Sequence, residues 1–564
     1  MDPNRHPAAE SPWSDTPRIA IGRTSDRRIV AAAPDGVRRT LTEAEFPAWV
    51  AAREAERRVR WVWASTAETY PVLLAAGVRV ERCHDLRLCH AILKNAVPGS
   101  VLARHTQWDA PDREHTPALF DLETGPRRDE LDEVLHELAR HDDTTSGSAD
   151  PARMRLLLAA ESAGALVAAE ARVAGVPWDA DEHGRILDST LGTRGAGGVP
   201  AKMSVLAGEV RAALEDPQVS LDSPPQLLGA LRAAGMHVDS TSKWVLKEID
   251  HPAIAPLLEY KRLARLLTAN GWAWLDAWVR DGRFRPVYVP GGVVTGRWAA
   301  AGGGALQIPR QLRPALRADP GWRIVDADVS QLEPRVLAAM ARDERMADAA
   351  RGRDLYDGIV ADGVLATRSE AKIAVLGAMY GATTGDSGRL VPRLRRVYSR
   401  AMRLVDEAAR TGENGGTVAT WLGRTSPPLD AATRRLLSTA TTAADEQRAL
   451  RRARDHGRFT RNFIVQGTAA EWALAWMADL RIRLAALPAV SSGHAAPRSG
   501  RAFARRAHIA FFLHDEVVVH APAEQADAAA EAMRESAAAA GRLLFGSFPL
   551  DFPLDLTVGD SAVA

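Results

Sequence analysis

Two adjacent carboxylates, Asp515 and Glu516, follow His514 between the apolar runs Ile509-Ala-Phe-Phe-Leu513 and Val517-Val-Val519. Such flanks predict the two strands of a buried β-hairpin with the acidic pair at its tip. Charge in an apolar setting is costly unless something offsets it, and a divalent cation is the usual partner. A second β-like run, Trp322-Arg-Ile-Val-Asp-Ala327, leads into Asp328. Aspartates on neighbouring strands that face one cleft are what two-metal phosphoryl transfer requires.

Other segments suit the same chemistry. Asp328-Val-Ser-Gln331-Leu-Glu333-Pro-Arg335 passes from a strand end to a helix start, where free backbone amides and the carbonyl after Asp328 add polar groups. By itself the segment reads equally as a surface helix cap. Arg368, Lys372, Leu376 and Tyr380 recur every fourth residue and share one helical face. Two cations followed by an apolar and an aromatic position suit a triphosphate followed by sugar and base; the bland alternative is an amphipathic helix with a solvated basic edge. Arg458, Asn462 and Gln466 form a similar ladder of donors and acceptors, matched to a minor groove. Thr295-Gly-Arg297-Trp298, followed by Leu306-Gln-Ile-Pro309, places an arginine on a loop. Arg393, Arg395, Arg396 and Arg400, and Arg448, Arg451, Arg452 and Arg454, offer phosphate contacts or solvated faces.

The elements that must position these groups exceed one core: 564 residues imply several domains. With 46% hydrophobic and 25% charged residues the chain is globular, and a net charge of +1 confines any nucleic-acid surface to a local patch. Two cysteines argue against a disulfide framework and fit a reducing cytoplasm. No signal peptide is read, and no apolar run approaches the roughly 20 residues that span a bilayer. Strands at Arg18–Gly22 and Arg28–Ala32, a helix near Ala44–Glu56 and a strand at Val59–Val62 predict a small α/β domain. His141–Asp150 reads as a loop and Val490–Arg501 as a mobile insertion; helices are expected to dominate between them.

Taken in order, these segments resemble the family-A DNA polymerases, the DNA polymerase I group. The resemblance runs from about Glu170 to the C-terminus and includes Leu221-Asp-Ser-Pro-Pro-Gln-Leu, Asp239-Ser-Thr-Ser242, Leu258-Glu-Tyr-Lys-Arg-Leu263 and Phe552-Pro-Leu-Asp-Leu-Thr-Val-Gly559. It implies an α+β multidomain chain: a right-hand polymerase with palm, fingers and thumb, preceded by a degenerate RNase H-like α/β exonuclease domain. The implied division is a flexible tail at 1–16, the exonuclease-like domain at 17–169, thumb at 170–280, palm at 281–345 and 456–564, and fingers at 346–455. Asp328 and Asp515, with the Val329 carbonyl, would hold two Mg²⁺ ions, supported from behind by Glu516. Lys372 would bind the triphosphate and is a candidate proton donor to the leaving group. Arg368 would hold the outer phosphates, Glu333 would exclude a 2′-hydroxyl, Leu376 would meet the sugar, and Gln331 would help to frame the dNTP. Tyr380 would stack near the templating base. Arg297, Arg458, Asn462, Gln466 and His514 would track the primer terminus and minor groove, and Thr241 and Ser242 the duplex held by the thumb.

The resemblance further implies a cytoplasmic, nucleoid-associated monomer acting on primer-template DNA and dNTPs in replication or repair, with no membrane partner. A single-subunit RNA polymerase and a non-catalytic DNA-binding scaffold are the alternatives. Val329 replaces the family's usual aromatic, Leu376 its sugar-packing aromatic, and Tyr356 a common histidine, which bears on fidelity, sugar discrimination and rate. In the N-terminal domain, Arg18–Gly22 lacks the Asp-x-Glu pair of a proofreading nuclease, and Ser162 stands where its last ligand is expected. Phe120-Asp121-Leu-Glu123-Thr-Gly125 looks like that motif but follows the helix it should precede. Cys83, His84, Cys89 and His90 have a loose zinc-like grouping, and buried cysteines are the plainer expectation. No 5′-nuclease region is recognised.

Overall fold

The computed structural model describes residues 18–562 except 27, 34–35, 57, 98–99, 105–107, 109–129, 196–197, 383–384 and 440. The expected tail at 1–16 and the Phe120–Gly125 motif lie outside the described residues.

Strands β1 (Arg18–Arg23), β2 (Ile29–Ala32), β3 (Arg38–Leu41), β4 (Arg60–Trp63) and β5 (Arg82–Asp85) form one sheet in the order β3-β2-β1-β4-β5. The first three pair antiparallel through short turns, whereas β4 and β5 run parallel to β1. Parallel pairing needs crossovers, which α1 (Phe46–Glu56) and α2 (Thr66–Ala75) supply. Helices α3 (Leu86–Ala96), α4 (Glu130–Ser146) and α5 (Pro151–Ala174) follow. Ile19, Ile21, Trp61 and Trp63 are buried in one cluster, while Ala20 and Val62 are buried with Leu131 and Val134 of α4 in another. Both faces of the sheet are thus covered. The stretch expected as a loop from His141 is helical through Ser146, because His141, Thr144 and Thr145 are buried within the domain.

The second unit begins with β6 (Val176–Pro177) and the helices α6 (Ala180–Leu191), α7 (Ala201–Ala213), α8 (Pro224–Ala233), α9 (Lys243–Leu246), α10 (Ile254–Asn270) and α11 (Trp272–Trp278). Short strands β7 (Val279–Arg280) and β8 (Arg283–Phe284) pair with each other, and β8 with β6. β9 (Val287–Val289) pairs with β10 (Ala299–Gly302). β11 (Trp322–Val329) leads into α12 (Leu332–Ala341), α13 (Glu344–Ala350), α14 (Leu355–Ala361), α15 (Arg368–Tyr380), α16 (Gly385–Val397), α17 (Ser399–Glu413), α18 (Ala431–Thr439) and α19 (Ala443–Ala486). The chain closes with β12 (His508–Leu513), β13 (Glu516–Pro522), α20 (Ala526–Phe545) and β14 (Leu554–Gly559).

β11 lies between β13 and β14 in an antiparallel sheet ordered β12-β13-β11-β14. Behind it α19 is buried along much of its length: Trp472 stacks on Phe552 with ring centroids 4.9 Å apart, and Trp476 Nε1 donates to the Met533 carbonyl. α5, α13 and α19 run unbroken across 169–170, 345–346 and 455–456. The segment Val490–Arg501, expected to be mobile, is instead folded over Trp322, whose indole donates to the His494 carbonyl at 2.9 Å. Val490 and Ala496 are buried against that ring, and covering a large aromatic outweighs the polar composition of the segment. Among the described residues no helix is long and apolar enough to cross a membrane.

Candidate active site

β12 and β13 are joined by the two-residue turn His514-Asp515, with His514 at φ +60°, the left-handed conformation that tight hairpins require. The turn meets the end of β11. The Val329 N–H donates to the Asp515 carbonyl at 3.0 Å, and Asp328 lies in register with Glu516 on one side and Asp555 on the other. The two aspartates singled out in the sequence are therefore neighbours. Burial, then the charges of Asp515 and Glu516, push the Asp328 carboxyl up to about 7. Burial also raises Asp515.

Two residues at this cluster escaped the sequence reading. Asp326 shares a face of β11 with Asp328, two positions on. Burial first and Glu516 second raise its pKa, and its Oδ1 is buried without a hydrogen-bond partner. Arg313, itself buried, grips both Glu516 oxygens and reaches Asp326 Oδ2 at 3.5 Å. The spacing Asp-x-Asp on a strand could have revealed Asp326. Nothing local could reveal Arg313, which lies 203 positions from its partner. Asp326, Asp328, Asp515, Glu516 and Asp555 outnumber Arg313 and Arg310 here, an excess of negative charge and hard oxygen donors that suits hard divalent cations.

α15 supplies the cationic face. Thr367 caps its start by accepting from Glu370 N–H at 3.1 Å, while the Glu370 carboxylate reaches back to accept from Ala366 N–H, one residue before the cap. Gly381, at φ +73°, ends it. Arg368, Lys372 and Tyr380 are exposed and Leu376 is half-buried. Arg368 pairs with Asp354 at 2.7 Å, and the same carboxylate oxygen accepts from Gln331 Nε2 at 3.0 Å. A cleft of about 680 Å³ is lined by Arg297, Gln331, Glu333, Tyr356, Leu376, Tyr380, Gln466, His514 and Asp515, among others. Across it, Glu333 accepts from Tyr380 Oη at 2.8 Å and from the Arg297 guanidinium, tying β11–α12, α15 and the Thr295–Trp298 loop together. Beneath that loop, Arg424 packs under Gly296 and pairs with buried Glu161 of α5 at 2.6 Å.

Asp328, Val329 and Glu516 stand beside Asp515 but outside the cleft lining, as do Lys372 and Arg368 farther along α15. On α19, Arg458 pairs with Asp455 and packs next to Gly381, and Asn462 Oδ1 is buried without a partner. Thr241 and Ser242 do not join this cleft; Ser242 precedes α9, and Lys261 Nζ donates to the Thr241 carbonyl.

In the N-terminal domain, a Cβ on Gly22 of β1 would lie 2.3 Å from Leu131 N, so α4 sits where an aspartate side chain would have to project. Ser162 Oγ accepts from Asp85 N–H, while Asp85 caps α3 and accepts from Thr66 N–H. Cys83 and Cys89 are buried free thiols that donate to the Ser162 and Leu158 carbonyls, and burial raises both, Cys83 to about 12.

Residues 198–561 match the model of DNA polymerase family A. DNA polymerase I of Chloroflexus aurantiacus is 28% identical over 351 residues, covering 56% of this chain and 33% of that protein. The thermostable DNA polymerase I of Thermus aquaticus is 26% identical over 355 residues, covering 57% of this chain and 37% of its own. The chain thus spans about a third of the length of the curated relatives it matches. Among solved structures, the POL domain of Pol1 from M. smegmatis, in complex with DNA primer-template and dNTP, aligns over 97% of this chain and 95% of that one. Its TM-score is 0.66 at 18% identity, a likeness of fold. A family match over well more than half the chain, on a palm-like sheet that brings the acidic motifs together, shows that this chain belongs to DNA polymerase family A.

Proposed function

We propose that this chain is a DNA-directed DNA polymerase that adds dNTPs to a primer 3′-hydroxyl. The observation that carries this reading is the register of β11 against β13, which sets Asp328 beside the Asp515 turn at the edge of an open cleft. Asp328, Asp515 and the Val329 carbonyl would hold two Mg²⁺ ions. When bound, those ions supply charge neutralisation at the attacking hydroxyl and the departing pyrophosphate. Arg313 holds Glu516, keeping one carboxylate neutralised while Asp328 and Asp515 remain for the cations. Arg368 and Lys372 project from α15 for the triphosphate, and Arg368 would exchange Asp354 for phosphate oxygens. Glu333, fixed by Tyr380 and Arg297, presents its carboxylate in the cleft as a barrier to a 2′-hydroxyl. Arg297, Gln466 and His514 would follow the primer end; Arg458, Asn462, Thr241 and Ser242 would touch the duplex farther away.

The same reading assigns the first domain no proofreading chemistry. The blocked Gly22, and Asp85 and Glu161 committed to structural bonds, support that assignment. Buried free cysteines fit work in a reducing cytoplasm, at the nucleoid, in replication or repair.

Primer extension with Mg²⁺ tests the proposal. Template-directed incorporation of dNTPs is expected. Incorporation of NTPs instead would make the enzyme an RNA polymerase, and a gel shift without synthesis would make it a scaffold.

A further inference from the structure

Away from the carboxylate cluster, three buried side chains of the N-terminal domain meet: His90 of α3, and Glu137 and His141 one turn apart on α4. Glu137 Oε1 lies 2.7 Å from His90 Nδ1 and 3.0 Å from His141 Nε2. Each residue offers a ligand atom within 4.8 Å of the others, and none of the three side chains is more than 1% exposed. Their surroundings are also polar and ordered. His141 Nδ1 is 3.1 Å from His84 Nε2, His84 Nδ1 is 3.8 Å from Cys89 Sγ, and Arg140 donates to Glu137 Oε2 at 3.0 Å. For His141 and Glu137 this is the outer layer that metal sites carry: a ligating imidazole donates its second N–H to a fixed partner, and a ligating carboxylate is itself hydrogen-bonded.

We propose that His90, Glu137 and His141 bind one transition-metal ion of the Zn²⁺ class, which clamps α3 to α4. Two imidazoles and a carboxylate suit zinc far better than Mg²⁺, with water or a turned His84 ring in the fourth position. Donors at about 2.0–2.1 Å around a tetrahedral ion stand roughly 3.3 Å apart, so the two close contacts need open by only about 0.3–0.6 Å. With Nε2 on the metal, His141 would hold its proton on Nδ1 and donate it to His84 Nε2.

The test uses the full chain grown with zinc and purified in excess Mg²⁺, added to fill the carboxylate cluster on the reading proposed above. One equivalent of zinc per chain is expected by mass spectrometry of the metal content, and Co²⁺ substitution should give intense tetrahedral visible bands. Glu137→Gln and His90→Ala should weaken retention by at least about tenfold, with primer extension unchanged. A wild-type chain that neither retains zinc nor gives the cobalt bands overturns the proposal, even if the variants misfold. Full retention in Glu137→Gln overturns the ligand set.

Discussion

At the scale of single residues, the site is a balance of buried charge. Asp515→Ala removes one side of the acidic pair and should lower primer extension by at least about 1000-fold, because several kcal/mol of transition-state neutralisation is lost. Primer-template binding in a gel shift should change little; extension that survives would move the metal site elsewhere. Glu333→Ala opens the cleft where Tyr380 and Arg297 converge. Ribonucleotide incorporation relative to dNTP should rise by roughly 10–200-fold, the range that one steric contact commands. Arg313 makes a stability claim instead. Arg313→Met leaves Glu516 and Asp326 buried without their cation and should cost about 3–5 kcal/mol in a urea melt. Adding Glu516→Gln should recover part of that loss; an equal or larger deficit in the double variant would show that the pair is not coupled.

At the scale of elements, α15 is fixed at both ends by local chemistry and in its middle by neighbours. Its Thr367 cap and Gly381 set the length that carries Arg368 and Tyr380 to opposite ends of one face. A Cβ on Gly381 would lie 3.0 Å from Arg458 Cγ on α19, in a backbone region that L-residues avoid. Gly381→Ala should therefore cost about 1–2 kcal/mol, seen as faster hydrogen exchange in the last turn of α15. Unchanged exchange there would show that the helix end tolerates a side chain. Arg461 adds a second tie, donating to the Ala378 carbonyl at 2.6 Å, so α19 reads the position of α15 directly.

Across the whole molecule, a buried network bolts the first domain to the second unit. Arg481 of α19 donates to Glu170 of α5 and to the Glu81 carbonyl, while Arg79 and Tyr70 also bond Glu170. Burial opposes the charge on Glu170, but Arg481 and Arg79 hold its carboxyl down to about 2, against an ordinary value of 4.5. A carboxylate depressed in the fold stabilises it fully above its unfolded pKa and loses that contribution as pH falls toward the folded one. The interface should therefore weaken between about pH 4.5 and 2, by on the order of 3 kcal/mol. Acid titration followed by limited proteolysis between the two units checks this. Glu170→Gln should flatten the acid dependence, and an identical profile in that variant would assign the effect to other groups.

The sequence by itself determined the pieces that depend on neighbours a few residues away. The four-residue ladder of α15, the hairpin around Asp515 and the strand leading to Asp328 all follow from periodicity and capping, which are local. The opening strands of the first sheet were legible for the same reason, and so was the absence of an acidic pair on β1. Tertiary structure alone decided what distant segments do to one another. It set Asp328 beside Asp515, paired Arg313 with Glu516, joined His90 to Glu137 and His141, and folded the polar Val490–Arg501 segment over Trp322. Those outcomes turn on burial and on charges brought together by strand register and helix packing, quantities that no stretch of sequence carries until the chain has closed on itself.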